Sequence, residues 1–96
     1  MEKNNQMDSY EMLASAIIKQ QEKIVGPLAW SEAGKTSGVS VGDKKVNLQG
    51  EGKKNLESLV KQYKTLFGQA SVEACKDAVR PLLPKMKDVS LPKILS

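Results

Sequence analysis

Apolar residues recur at intervals of three and four along three stretches of this chain, and glycine or proline closes each stretch. That period lines up one side of an α-helix and is incompatible with a strand, whose faces alternate at every residue. The first stretch predicts a helix over 8–25. Asp8 stands where an N-cap is needed, and Glu11, three residues on, can reach back to the cap amide. Met7 and Met12 occupy the two positions of a hydrophobic staple across that cap. Tyr10, Leu13, Ala14, Ile17, Ile24 and Val25 form the stripe, with Gln21 as its polar member, until Gly26-Pro27 ends it.

Pro27 lacks an amide proton, which costs nothing in a first helical turn, so a short second helix can open there. Leu28, Ala29, Trp30 and Ala33 would face inward before Gly34 or Gly38 breaks it. The third helix is predicted over 55–67, with Leu56, Leu59, Val60, Tyr63, Leu66 and Phe67 in the stripe and Gly68 after it. Glu57 and Lys61 are spaced and ordered for a favourable surface pair. Ser71 reads as the cap of a fourth helix carrying Val72, Cys75, Val79, Leu82 and Leu83, with Glu73 near its positive end. Pro81 cannot donate to the carbonyl of Asp77, so that helix ends near Arg80 or kinks.

Between the second and third helices the period changes to two. Val39-Ser40-Val41, a Gly42-Asp43 turn and Lys44 to Gln49 read as a β-hairpin, because glycine supplies the positive φ such a turn needs. With that turn Val39 lies opposite Val46, and Ser37 opposite Leu48. Val39, Val41, Val46 and Leu48 then share a buried face, and Ser40, Lys45 and Asn47 a wet one. A lone hairpin is unstable, so it must lie on the helices or on a second copy.

The expected fold is therefore α+β and helix-dominated, in the order α-α(short)-β-β-α-α. It has one two-stranded antiparallel hairpin and an irregular C-terminal tail. The chain of 96 residues has room for one core. The expected division is a flexible N-terminus at 1–7, a globular domain at 8–83 and a tail at 84–96, extended or docked. The tail echoes itself: Leu83-Pro84-Lys85-Met86 returns as Leu91-Pro92-Lys93-Ile94.

Chemistry is narrowed by what the sequence omits. It contains no histidine, which removes the commonest general base, metal ligand and partner of a nucleophile. Cys75 is the one cysteine, so no internal disulfide or multi-cysteine metal site can form, and its place on an apolar stripe makes it a core residue. The expectation is no enzyme, no metal and no cofactor. A polar start and the lack of a long apolar run point away from a leader or a membrane partner and toward the cytoplasm.

Net charge is +4, and all of it comes from residues 49–96, where nine Lys or Arg face five acids. Three readings of the surface follow. Ile18, Met86, Ile94 and Leu95, with Val89, lie outside the stripes, and Trp30 reads as either a core anchor or the centre of an interface. Exposed together they would mark a contact with another protein or a second copy of the chain. This is the favoured reading, a non-catalytic interaction or regulatory module acting as a homodimer, and the hairpin edge offers it a strand to pair with. The alternative is a nucleic-acid surface of Lys53, Lys54, Lys61 and Lys64, helped by Lys44 and Lys45. A third is an anion or phosphate-ligand sensor at Gly50-Glu51-Gly52-Lys53-Lys54, where a glycine turn meets a helix start.

Overall fold

The computed structural model describes residues 8–43 and 45–96; Met7, the rest of 1–7 and Lys44 lie outside the described residues. The order is α1 (Ser9–Val25), α2 (Leu28–Gly34), β1 (Val39–Gly42), β2 (Lys45–Leu48), α3 (Gly52–Phe67) and α4 (Gln69–Val79). Two 3-10 turns follow at Leu83–Lys85 and Lys93–Leu95. The fold class and order match the sequence expectation.

Helix α1 starts as its sequence dictates. The Asp8 carboxylate accepts from the Glu11 amide at 2.8 Å, and Glu11 Oε1 accepts from the Asp8 amide at 3.3 Å, which completes a capping box. Glu11 also has a second role. Its Oε2 accepts from the Leu48 amide at 3.1 Å, while the next amide, Gln49, donates to Gly38 on the other side of the strand. Successive amides of a strand point to opposite sides, so Glu11 covers the outer edge of β2.

The buried face of α1 is wide. Leu13, Ala14, Ile17, Ile18 and Gln21 are fully buried, spanning about 140° of arc at about 100° per residue. Ile18, expected off the stripe as a contact residue, is instead part of the core, because α2, α3, α4 and β2 all pack on α1 and cover more than a narrow stripe. Leu56, Leu59, Val60 and Tyr63 of α3 and Val72, Cys75 and Val79 of α4 complete that core.

The hairpin has the expected faces and a different register. Val39 pairs with Leu48 and Val41 with Val46, two residues from the expected pairing. The turn begins at Asp43, not Gly42: Asp43 carries φ 52, a left-handed conformation that Asp tolerates better than most residues. A shift of two preserves the faces, so Val39 and Val46 are still buried and Ser40, Lys45 and Asn47 still exposed. Asn55, itself buried, fixes the hairpin base to α3 by donating to the Gln49 carbonyl at 2.9 Å. Gly38 passes so close to the Asn55 side chain, at φ 83, that no Cβ fits there.

Helix α4 begins two residues ahead of the expected cap. Gly68 alone joins α3 to α4, and the Ser71 hydroxyl donates back to its carbonyl at 2.8 Å inside the first turn. The helix stops at Val79, before Pro81. Beyond it the chain returns along the helices. Leu95 and Pro92 are buried, and the turn carrying them packs on α3 and α4. Ser9 Oγ donates to Asp88 at 3.1 Å, and the Tyr10 hydroxyl accepts from the Ser90 amide at 2.8 Å. The two Leu-Pro-Lys copies differ in use: Pro92 is buried and Pro84 exposed.

The Tyr10 ring lies on Gly52 at the start of α3, in the space a Cβ would need. Gly52→Ala is therefore expected to lower stability by about 1–3 kcal/mol through overpacking, despite alanine's better helix propensity. Gly42→Ala, whose Cβ meets open space, should be neutral or stabilising. Urea unfolding of both variants checks the contrast, and equal effects would count against the Tyr10 contact.

Candidate functional site

Lys53, Lys54, Lys61 and Lys64 are all exposed on α3. At about 100° per residue they fall within about 100° of arc, opposite the buried face of Leu56, Leu59 and Tyr63. Glu57 sits within the same arc and pairs with Lys61 at 3.3 Å. Lys45 lies on the wet face of the hairpin, and Lys44 is outside the described residues.

The glycine turn ahead of α3 is occupied by the fold itself. Gly50 makes the bend at φ 86, Gly52 receives the Tyr10 ring, and Glu51 stands at the N-cap without a side-chain capping bond. An aromatic ring and a carboxylate thus flank the helix start at which an anion would have to bind.

The apolar candidates separate. Ile18 and Leu95 are buried in the single chain, so neither offers a free surface. Met86, Val89 and Ile94 are half-buried against the core and strap the tail to the body. Trp30 is half-buried and, with Glu22, Pro27, Val41, Gly42 and Asp43, lines an open cavity of about 300 Å³. Its indole Nε1 is buried and has no hydrogen-bond partner among the described residues.

Four large apolar side chains are exposed among the described residues: Met12 at 42%, near the start of α1, and three that periodicity assigned to the core, Ile24 at 60%, Leu66 at 47% and Leu28 at 45%. Ile24, Leu28 and Leu66 lie at one end of the molecule. Gly52 meets Tyr10 at the starts of α3 and α1, whereas the Tyr63 hydroxyl, late in α3, donates to the Ala29 carbonyl just past the end of α1. Helices α1 and α3 are thus parallel, and both end where α2 and α4 begin.

Where α2 meets α3, Gln62 Nε2 donates to Glu32 Oε1 at 2.8 Å. Leu28 lies one turn before Glu32 and Leu66 one turn after Gln62, and these two exposed leucines mark the seam between the helices. Hydrogen bonds from Gln62 and Lys35 hold the Glu32 carboxyl below its ordinary range, against the effect of burial. Sequence reasoning missed this seam. The available signal was that the stripes on α1 and α3 run past any length a short α2 can cover.

Cys75 offers no nucleophile. Burial pushes its thiol up to about 12, and Gln21 Nε2, donating at 3.4 Å to Sγ and 3.0 Å to the Ser71 carbonyl, offsets that only in part. Gln21 is fully buried, and its Oε1 has no partner among the described residues. Burial also pushes the Tyr63 phenol upward. No helix among the described residues is long and apolar enough to cross a membrane.

No family model matches the chain, and no curated protein or solved structure is significantly similar to it.

Two raised pKa values give a signed expectation. An acid whose folded pKa exceeds its unfolded one holds its proton longer in the native state, so the unfolded state binds fewer protons at high pH. Stability should be full below about pH 9, the unfolded thiol value, and fall as pH rises toward about 12. Cys75→Ala should flatten that fall without abolishing it, since Tyr63 titrates above it. Denaturant midpoints across the alkaline range test this; a slope unchanged by Cys75→Ala would refute the assignment.

Proposed function

We propose that this chain is a non-catalytic interaction module that pairs with a second copy of itself through the Leu28–Leu66 seam. The observation that carries this reading is the seam: two leucines, each nearly half exposed, each one helical turn from the Glu32–Gln62 bond that joins their helices. A leucine left in water forgoes about 1.5–3 kcal/mol of burial. Scattered single cases need no explanation, but two on one seam gain it together when covered.

A second copy fits because the seam is apolar on both sides and can be its own complement. A two-fold axis through it sets Leu28 of one chain against Leu66 of the other. Helices α1 and α3 end at this face while α2 and α4 begin there, so their terminal partial charges offset one another. A non-catalytic role is supported by a sequence without histidine and by a thiol that is buried and protonated at neutral pH.

Light scattering coupled to size exclusion, across a dilution series, tests the pairing. The chain should elute as a dimer at high concentration, and Leu28→Glu or Leu66→Glu should weaken association by about 100-fold or more through a buried charge. The monomeric variants should keep native helicity, since both side chains lie outside the core. A chain that stays monomeric at every concentration, or a dimer indifferent to both substitutions, would sink the reading.

A further inference from the structure

The lysine stripe of α3 lies on a different part of the molecule from the Leu28–Leu66 seam and has its own physical oddity. Lys53 and Lys54 stand in the first turn of α3, which contains no acidic residue. That turn carries the positive end of the helix dipole, where a carboxylate stabilises and a lysine opposes. Helix α1 does the reverse, with Glu11 in its first turn and Lys23 in its last. A face selected only for solubility and helix stability would place acids where α3 has Lys53 and Lys54.

The remaining geometry is that of a cationic track. From Lys53 to Lys64 the stripe runs about 17 Å at 1.5 Å per residue. Lys61 is paired with Glu57, whereas Lys53, Lys54 and Lys64 have no ion-pair partner among the described residues. From these placements we infer that the outer face of α3 binds the phosphate backbone of a nucleic acid.

The chemistry of the face also says how it binds. Arg80, the one arginine, stands at the C-terminal end of α4 paired with Asp77 at 2.8 Å, and Tyr63 and Phe67 stack on each other on the core side of α3. The Tyr10 ring at the start of α3 is packed on Gly52 with its hydroxyl bonded to Ser90, so neither a free aromatic platform nor an arginine fork accompanies the lysines, and binding follows charge without reading bases. An anionic membrane is the poorer match. Surface helices that bind lipid carry an apolar face beside the basic one, and apart from Leu66 the apolar residues of α3 are buried or half-buried in the core.

Fluorescence anisotropy with the full chain and labelled DNA duplexes of two unrelated sequences tests this. Binding should be equal for both sequences within about twofold. Its logarithm should fall with the logarithm of salt at a slope of about −3, from three to four lysine–phosphate contacts at about 0.9 each. Lys54→Glu combined with Lys61→Glu should weaken binding more than about tenfold and reduce the slope by about 2. The same pair changed to Gln gives a milder loss and guards against a folding defect, which circular dichroism would reveal. Lys85→Glu with Lys87→Glu, on the tail, should leave affinity within about twofold. Three results would each overturn the inference: no binding at low salt, equal damage from the tail variant, or tighter binding to phosphatidylserine vesicles than to DNA in the same buffer. The track is separate from the seam, so Leu28→Glu should leave DNA affinity unchanged if dimerisation adds no contacts, or lower it through lost avidity with the slope per chain preserved.

Discussion

Four elements lean on α1, and the rest of the structure depends on that one helix being apolar around much of its circumference. Leu13, Ala14, Ile17 and Ile18 face α3, α4, α2 and the hairpin at once. A helix with a narrow stripe could be covered by one partner. This one cannot, so the chain must wrap it. The wrapping also explains why the hairpin tolerates being two strands wide: its apolar face rests on helices, and the outer edge of β2 is closed by Glu11.

At the centre of that arrangement the packing is not wholly apolar. Gln21 joins α1 to α4 through the Ser71 carbonyl and the Cys75 sulfur, at the cost of one buried oxygen without a partner. An apolar residue of similar volume would pack there without that penalty. What the amide supplies is a fixed axial position for α4 against α1, since its donor can reach the first turn of α4 in only one register. The Tyr63 hydroxyl does the same between α3 and α2. Both polar anchors sit toward the end where helices α1 and α3 stop, and they hold α2 and α4 in place around the exposed leucines.

Much of this was legible in the order of residues. The capping box at Asp8 and Glu11, the stripes of α1 and α3, and the two faces of the hairpin all follow from spacing alone, because local geometry decides them. The failures share a different cause. Spacing says which side of a helix is apolar but not where its cover ends, so Leu66 and Ile24 were placed inside and Ile18 outside. The hairpin register turned on whether Gly42 or Asp43 takes the positive φ, a choice that glycine preference alone decides wrongly here. Ser71 has the chemistry of a cap but lies inside the helix and spends its hydroxyl on the Gly68 carbonyl. The lysines of α3 were legible as a set, whereas their conflict with the helix dipole required knowing that the helix begins at Gly52.

Tyr10 joins parts of the chain that are eighty positions apart. Closing a loop of that length costs about 4 kcal/mol in chain entropy, more than a pair of neutral hydrogen bonds returns. The phenol cannot draw the tail in by itself. Pro92 and Leu95 must already be seated between α3 and α4, and the helices already formed, before Ser90 comes within reach. In the order of folding the Tyr10–Ser90 link is therefore a late event, and in unfolding an early one. It marks the finished molecule without being what drives the chain to finish.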